Sequence, residues 1–342
     1  MKAAIVEKPG VLSVREIAMP EVGDYDALCE MLYGATCTGT DQHLIAGRFP
    51  WPVHYPTILG HESIGRVVTV GQRVRHLHVG DLVTRVGAPA VPADGLDTNW
   101  GGYAEYGIAK DHRAMREDGL PRRDWDAFRI NQVLPHDFDA AKATMIITWR
   151  ETLSYLTRMG VGPGSTLLVI GSGGNGLAFA AHAHNRGAAH VAMIGSDLRE
   201  PVAHALGVQA YYDYHQTRLV DAAGKQMSEG YDFIIDAVGK TGQLDFALSL
   251  VKPGGVVGIY GIDDYGRCII NPARARGTFT FYNGGYDEEE THAQVVAEIQ
   301  QGRLRAEYWL DPARPYLLDN IGQAFDDLRE RKMVKAVVKL HD

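Results

Sequence analysis

The chain has 342 residues, of which 45 % are hydrophobic and 22 % charged, values close to the averages for soluble globular proteins. This composition excludes a disordered chain, a collagen and a long coiled coil. The net charge of -8 argues against general nucleic-acid binding, which needs a concentrated basic face. At roughly 100–200 residues per domain, the length allows two or three domains.

The sequence offers no sign of a membrane or secreted protein. It contains no apolar run of about 18 residues, so we expect no membrane-spanning helix and no membrane partner. The first residues lack the apolar core of a signal peptide, and the expected location is the cytoplasm. The three cysteines, Cys29, Cys37 and Cys268, are too few for a disulfide framework or for a four-thiolate zinc site.

The predicted elements differ between the two parts of the chain. In the first 140 residues, short strand patterns separated by turns cover 2–6, 28–33, 65–70 and 82–83, whereas the polar residues 111–139 are predicted to form an irregular surface segment. From about residue 140, strands alternate with helices. The predicted strands are 166–170, 190–194, 231–238 and 255–260, and the predicted helices are 140–159, 177–186, 200–206 and 243–250.

This alternation predicts βαβ units and a doubly wound parallel sheet, and therefore an α/β fold class for the second part of the chain. The run at 166–170 is continuously apolar, as expected for a strand that is buried on both faces. A helix over 288–301 and a strand over 334–340 complete the chain.

A glycine-rich motif follows the apolar strand directly and precedes an alanine-rich helix. Its residues are Gly171, Ser172, Gly173, Gly174, Asn175 and Gly176, which match G-x-G-x-x-G. In this context the first glycine permits a tight turn, the second lets the backbone approach a pyrophosphate, and the third lets the helix pack on the strand. The motif therefore predicts a dinucleotide cofactor bound at the helix N-terminus.

The end of the second strand of this unit bears on the choice between NAD and NADP. A carboxylate there would bind the ribose hydroxyls of NAD. Here the strand is followed by Gly195 and Ser196, which leave space, and Arg199 is close enough to pair with a 2′-phosphate. We therefore favour NADP. NAD stays an alternative, because the Asp197 carboxylate could bind the two ribose hydroxyls. Ser196 and Asp197 could also simply cap the next helix.

Possible zinc ligands occur in the first part of the chain. Cys37 lies in a Cys-Thr-Gly-Thr-Asp sequence, and His61 and Glu62 directly precede a predicted strand. Thiolate, imidazole and carboxylate are the groups that bind zinc in proteins.

Taken together, the motifs resemble those of the medium-chain dehydrogenase/reductase family, in its zinc-type alcohol and polyol dehydrogenase branch. The segments that carry the resemblance are Gly39-Thr40-Asp41, 56–62, 79–83, 101–106, the glycine motif, 232–239 and 252–255. The resemblance implies a GroES-like, mainly β catalytic domain over 1–145, completed by 290–342. It also implies a Rossmann cofactor domain over 146–289, and a homodimer or homotetramer.

The zinc ligands are where the chain departs from the family pattern. His61 matches the family's zinc histidine, and Glu62 the acid beside it. However, Thr38 stands where the thiolate is usual, and Cys37 lies one residue earlier. The third ligand position holds Ile147, and Glu151 is the nearest carboxylate. Two alternatives follow: Cys37 and His61 hold one zinc together with Glu151 or Glu62, or the site is free of metal.

The resemblance also implies roles in catalysis and cofactor binding. Thr40 and His43 match a hydroxyl and a histidine that relay a proton from the substrate to solvent; without a metal, Thr40, His61 or a water would supply that proton. Val238 and Asn283 are further candidates for contact with the cofactor, although Asn283 fits a structural turn equally well.

The function that these features favour is the NAD(P)-dependent interconversion of an alcohol and its carbonyl. The substrate would be a small hydroxyl or carbonyl compound: a polyol, a sugar or a secondary alcohol. Two alternatives stay open, a zinc-independent NADPH reductase of an activated C=C bond and a non-catalytic NADPH-binding protein.

Overall fold

The computed structural model describes residues 1–215, 223–224 and 226–341, which form two compact units. The first unit comprises 1–147, 292–297 and 305–342, and the second comprises 148–291 and 298–304. The functional division proposed from the family resemblance, with boundaries at 145 and 289, remains a prediction. None of the described helices is long and apolar enough to cross a membrane.

The described strands are, in chain order, β1 (Lys2–Lys8), β2 (Val11–Glu16), β3 (Asp26–Ala35), β4 (Thr57–Ile58), β5 (Glu62–Val70), β6 (Leu82–Thr84), β7 (Asp97–Thr98), β8 (Tyr106–Lys110), β9 (Val133–Leu134), β10 (Thr166–Ile170), β11 (His190–Gly195), β12 (Ala210–Asp213), β13 (Tyr231–Asp236), β14 (Val251–Ile259), β15 (Thr280–Tyr282), β16 (Tyr316–Leu317) and β17 (Val337–Lys339). The described α-helices are α1 (Thr40–Ile45), α2 (His112–Glu117), α3 (Arg122–Trp125), α4 (Ala140–Ala143), α5 (Met145–Met159), α6 (Gly174–Asn185), α7 (Glu200–Ala205), α8 (Gln243–Leu248), α9 (Glu288–Gln300) and α10 (Ile321–Arg329).

The first unit is built mainly from β-strands. One sheet has the order β2-β1-β4-β7, and a larger one has the order β16-β17-β3-β5-β6-β9, with β8 also paired to β3. The core is formed by apolar side chains from these strands, among them Cys29 and Met31 of β3. Burial raises the pKa of the Cys29 thiol to about 12, so this cysteine stays protonated and is a packing residue.

The prediction of an irregular segment over 111–139 is wrong, since this stretch contains α2, α3 and β9. Helix α2 begins after Asp111, whose carboxylate accepts a hydrogen bond from the backbone N–H of Ala114 at 2.9 Å. Helices of four to six residues carry too few apolar positions to show a helical period in a polar sequence.

Helix α10 and the edge strand β12 have no counterpart among the predicted elements. The buried residues of α10 follow the spacing of one helical face: Ile321, Ala324, Phe325 and Leu328. This i, i+3, i+4, i+7 pattern is a regular helix signal, and the sequence therefore held enough information to predict α10.

The second unit contains a parallel six-stranded sheet with the order β12-β11-β10-β13-β14-β15. The chain order reverses between β10 and β13, as in doubly wound dinucleotide-binding sheets, where ligands bind outside the carboxyl ends of the strands at this point. The central strand β10 has four of its five residues buried. The predicted doubly wound parallel sheet and mainly β partner unit are confirmed.

Candidate active site

A thiol, an imidazole and a carboxylate meet in the first unit. The potential ligand atoms of Cys37, His61 and Glu62 lie within 4.8 Å of one another, and all three side chains are buried. The pairing of β3 with β5 explains this arrangement, because Ala35 lies opposite Glu62. The loop that leaves β3 is thereby held beside the residues that enter β5.

The loop between β3 and α1 turns Cys37 inward despite the unusual position of this residue. Cys37 is 8 % exposed, whereas Thr38 is exposed to solvent. The backbone N–H of Cys37 donates to Oδ2 of Asp41 at 2.9 Å, which fixes the turn. Thr38 therefore faces solvent, and the Cys37 sulfur lies within 4.8 Å of ligand atoms of His61 and Glu62.

Asp41 orients the imidazole of the cluster. Its Oδ1 lies 3.0 Å from Nδ1 of His61, and its Oδ2 also accepts the hydroxyl of Tyr103 at 2.8 Å. With Nδ1 engaged, Nε2 of His61 is the nitrogen turned toward Glu62, whose Oε1 is 3.8 Å away. A metal-binding histidine is characteristically held in this way by a carboxylate on its other nitrogen.

Lys335 holds the carboxylate of Glu62. Its Nζ lies 2.7 Å from Oε1 and 2.5 Å from Oε2, and it also donates to the carbonyl oxygen of Thr36 at 3.2 Å. Burial by itself would lower the pKa of Lys335, but Glu62 and Cys37 outweigh it and raise that pKa above its usual value. The two side chains therefore form a buried, charged ion pair.

The cluster attracts positive charge. Burial by itself would lower the pKa of His61, but the nearby Asp41 carboxylate and Cys37 outweigh burial and raise this pKa well above the usual 6.5. Burial and the same Asp41 carboxylate raise the pKa of Tyr103, which keeps its hydroxyl a donor. The acidic groups that stabilise a proton on His61 also favour a metal cation between these side chains.

Two further predicted residues lie on the first turn of α1. Thr40 is half-buried and His43 is 7 % exposed, and at a spacing of three residues they share one face of the helix. The Nδ1 of His43 is 2.7 Å from the carbonyl oxygen of Gly39. Since a carbonyl oxygen can only accept, Nδ1 carries a proton, and in the neutral ring Nε2 is the acceptor.

Aromatic and cationic groups lie beside His61. The ring centroid of Trp100 is 5.4 Å from that of His61, and Arg85 lies over the Trp100 ring at 5.9 Å. Arg85 and Trp100 both adopt positive φ values, 56° and 65°, which are uncommon for residues other than glycine. Trp51 and Trp100 are both exposed, so aromatic surface is available next to the cluster.

In the second unit, the glycine motif adopts the predicted strand–loop–helix arrangement between β10 and α6. Gly171 has a φ of +110°, and a Cβ there would lie 2.5 Å from Cγ2 of Val238. A Cβ on Gly176 would lie 1.9 Å from the carbonyl oxygen of Gly171. Both positions therefore require glycine, and Gly173 precedes the first helical residue.

The carboxyl end of β11 has no acidic side chain at its last residue. A Cβ on Gly195 would lie 2.2 Å from both Oγ of Ser172 and the hydroxyl of Tyr211. Tyr211 donates to the carbonyl oxygen of Ser196 at 2.6 Å, and the backbone N–H of Ser196 donates to Oγ of Ser172 at 3.2 Å. These contacts leave the end of β11 closely packed.

Asp197 and Arg199 lie just beyond this strand end. Oδ1 of Asp197 accepts from the backbone N–H of Leu198 at 2.8 Å and from Oγ of Ser196 at 3.3 Å, so this carboxylate caps its own turn. Arg199 is half-buried. Its positive charge lowers the pKa of Tyr211, but burial and the carboxylates of Glu200 and Asp213 outweigh this effect and raise that pKa to about 12.

Comparison with known proteins identifies the family. The alcohol dehydrogenase GroES-like domain matches residues 23–120, and the zinc-binding dehydrogenase domain matches residues 174–293. The chain belongs to the zinc-type branch of the medium-chain dehydrogenase/reductase family. It is therefore an NAD(P)-dependent enzyme that interconverts alcohols and carbonyls, and the alternative of a non-catalytic binding protein is wrong.

Individual relatives match almost the whole chain at low identity. D-arabinitol dehydrogenase 1 of Uromyces fabae is 26 % identical over 99 % of this chain and 97 % of its own length. NADP-dependent isopropanol dehydrogenase of Clostridium beijerinckii is 28 % identical over 74 % of each chain. The solved structure of an alcohol dehydrogenase from Thermus sp. ATN1 has a TM-score of 0.79, 23 % identity and 99 % coverage of both chains, which establishes the shared fold.

Not all the metal ligands predicted for this medium-chain dehydrogenase come together. Within the described ranges, the cluster with metal-ligand spacing consists of Cys37, His61 and Glu62, without Glu151. Glu151 lies in the second unit, where the hydroxyl of Tyr260 donates to it at 3.3 Å and in turn accepts from Nδ2 of Asn175 at 3.0 Å. A metal-binding role for Glu151 remains a prediction.

Three important neighbours of the site were missed by the sequence analysis. Asp41 and Tyr103 fall inside two segments that resemble the family, 39–41 and 101–106, and this resemblance indicated that they could lie at the site. Lys335 carried no such signal, since it lies 273 residues after Glu62. Of the other cofactor candidates, Asn283 is exposed directly after β15.

Proposed function

We propose that Cys37, His61 and Glu62 hold one catalytic zinc ion. The observation that carries this proposal is the mutual approach of their ligand atoms to within 4.8 Å, with Asp41 on the far nitrogen of His61. One sulfur, one nitrogen and one oxygen ligand fit zinc, and three protein ligands leave a fourth tetrahedral position for substrate, as in catalytic sites. The carboxylate of Glu62 is buried and held in place by Lys335.

The chain's own residues then define a path for the substrate proton. A zinc ion held by Cys37, His61 and Glu62 would act as a Lewis acid on the substrate oxygen, and bound NAD(P)⁺ would accept the hydride. The Thr40 hydroxyl receives the proton of the substrate alcohol and passes one on toward His43. His43 accepts it on Nε2, because Nδ1 already donates to the carbonyl oxygen of Gly39.

We propose NADP as the preferred cofactor. The absence of a carboxylate at Gly195 removes the usual partner of a free ribose 2′-hydroxyl. Asp197 is occupied by Leu198 and Ser196, whereas Arg199 supplies positive charge at the same strand end. A relative that its name describes as NADP-dependent supports the same preference. The pyrophosphate would lie on the backbone of the glycine motif at the start of α6.

A hydroxyl-rich substrate, such as a polyol or a sugar alcohol, is the class we propose. One full-length relative is named for D-arabinitol, and the Trp100 surface beside His61 offers a flat face on which the C–H face of such a substrate can pack. We further propose a cytoplasmic homodimer or homotetramer. Strand β15 is an edge of the parallel sheet, and it could pair with the same strand of a second copy.

The deciding experiment is elemental analysis of protein purified without added metal, combined with activity on a panel of polyols and of activated alkenes. We expect a full equivalent of zinc per chain, and loss of polyol oxidation when a chelator removes it. C37A should lose both zinc and turnover, while C268A, which changes an exposed cysteine, should retain both. Full polyol oxidation with little zinc would refute the metal site, and reduction of the activated alkenes without zinc would favour the C=C reductase.

A further inference from the structure

A cavity in the first unit is lined by none of the residues of the metal-ligand cluster. Its volume is about 230 Å³. The residues that line it come from the loop before β6, from the end of β8 and start of α2, from the start of β9 and from α9: His76, Leu77, Lys110, Asp111, His112, Arg113, Asn131, Gln132, Val133 and His292. None of them is assigned a role in catalysis or in cofactor binding above.

Most of the residues that line the cavity carry polar side chains. Five of its side chains are basic, and only Leu77 and Val133 are aliphatic. His112, Asn131 and Gln132 are 5 %, 4 % and 5 % exposed, so part of the polar lining is removed from bulk water.

The acidic groups around the cavity are already engaged. Asp111 accepts three backbone N–H groups, those of Arg75 and His76 at 2.7 Å and that of Ala114 at 2.9 Å. Outside the lining, Asp26 pairs with Lys110 at 2.5 Å, and Glu117 lies 3.0 Å from Nε2 of His76. Asp26 and Glu117 therefore pair with basic side chains, and Asp111 accepts hydrogen bonds from the backbone.

Arg113 is the lining cation whose charge remains uncompensated. Among the described residues, its guanidinium forms no ion pair, and it donates a long hydrogen bond of 3.5 Å to Oε1 of Gln132. A guanidinium presents five donors in a fixed fork that matches carboxylate and phosphate oxygens. The histidines do not form a metal site, since the metal-ligand cluster in the described ranges is the one at Cys37.

We propose that this cavity binds a small oxyanion, a phosphate or a phosphate monoester, on the guanidinium of Arg113. The volume is below that of the roughly 300–1,000 Å³ pockets that take drug-sized ligands, which suits an anion with few carbon atoms. A charge-assisted bond to Arg113 supplies the affinity, and the hydrogen bond from Arg113 to Oε1 of Gln132 orients the guanidinium.

Calorimetric titration of the NADPH-saturated enzyme with inorganic phosphate, at constant ionic strength, tests the proposal. Saturation with NADPH keeps phosphate from the glycine motif. We expect saturable binding with a Kd of about 1 mM or tighter. A parallel titration with glycerol 3-phosphate distinguishes the two sources. Weaker binding of glycerol 3-phosphate than of inorganic phosphate indicates a site for the free ion, and tighter binding indicates a site for a monoester.

Arg113→Gln should weaken phosphate binding by about tenfold or more, the effect of losing one charge-assisted hydrogen bond. Arg123→Gln, at an exposed arginine outside the cavity, is the matched control and should leave binding unchanged. V133E, which adds a carboxylate to the lining, should abolish binding. Circular dichroism and zinc content verify that each variant is folded. The proposal is overturned if the wild-type enzyme gives no saturable heat, or if the folded R113Q protein binds phosphate as the wild type does.

Discussion

Asp41 and His61 are joined by a 3.0 Å hydrogen bond in which the carboxylate fixes Nδ1 of the imidazole. The same carboxylate holds the backbone of Cys37 and the hydroxyl of Tyr103. One side chain therefore sets the positions of two of the three proposed zinc ligands, and its replacement tests the site without removing any ligand.

Asp41→Asn keeps the size of the side chain but removes its charge and half of its acceptor capacity. We expect zinc affinity to fall by about 10–100-fold, as for other carboxylates behind a metal-bound histidine. Competition with a chromogenic chelator measures this directly. D139N, which alters a carboxylate that only caps α4, is the control. Equal zinc affinity in wild type and D41N would contradict the orienting role of Asp41.

The third ligand can be assigned by comparing two carboxylates. Glu62→Gln leaves the buried Lys335 without its anionic partner, which is itself destabilising. The informative variant is therefore E62Q/K335M, read against K335M alone. We expect zinc to be lost from the double variant and retained by E151Q, with melting temperatures recorded for each. Loss of zinc from E151Q, with retention in the double variant, would assign the ligand to Glu151.

These two carboxylates also illustrate which parts of the site could be predicted from sequence. The glycine motif, His61 and Glu62 are local patterns, and the strand–loop–helix context of Gly171 to Gly176 could be recognised directly. Lys335 could not, because it reaches Glu62 only through tertiary pairing: Ala35 of β3 lies opposite Glu62 of β5 on one side and opposite Val337 of β17 on the other.

The same reasoning explains the successes and failures in the fold. The buried strand β10 has a continuous apolar run, and the alternation of strands with helices specifies the parallel sheet. Helices α2 and α3 were missed because they are too short to show a period. Cys37 was ambiguous for a different reason: whether Thr38 points outward depends on the hydrogen bond between the Cys37 backbone and Asp41, and spacing alone does not determine it.

Thr40→Ala tests the proton path. The hydroxyl is proposed to receive the substrate proton, so we expect turnover to fall by about 10²–10⁴-fold, the usual contribution of a positioned proton-transfer group. Cofactor affinity, measured by NADPH fluorescence, should stay unchanged. T40S should restore much of the turnover, and T38A, at the neighbouring exposed threonine, should match the wild type. An unaltered turnover in T40A would remove Thr40 from the mechanism.

The cofactor preference is tested by a pair of variants beyond β11. Arg199→Ala should weaken NADPH binding by about tenfold, the loss of one charge-assisted contact, and leave NADH binding unaffected. Asp197→Asn should change neither, since this carboxylate is engaged with its own turn. Steady-state kinetics with both cofactors measure these effects. A selective loss of NADH turnover in D197N would instead indicate that Asp197 binds the ribose.

Buried and exposed ion pairs of the second unit should differ in their contribution to stability. Arg150 and Glu288 are 0 % and 3 % exposed at a distance of 2.6 Å, whereas Arg158 and Glu290 are each 37 % exposed at 2.8 Å. R150M removes the arginine that pairs with the buried Glu288 carboxylate and should lower the free energy of unfolding by about 3–5 kcal/mol. R158M should cost at most about 1 kcal/mol, because solvent screens the exposed pair.

Urea denaturation followed by circular dichroism measures both losses. R150M/E288L removes both buried charges, so it should recover most of the stability lost in R150M, provided that the aliphatic replacements pack. If R150M lowered the free energy of unfolding no more than R158M does, burial would not increase the contribution of the Arg150–Glu288 pair to stability. Recovery in the double variant would show that the loss in R150M arises mainly from the buried charge of Glu288 in the absence of Arg150, since both variants lack the same arginine contacts.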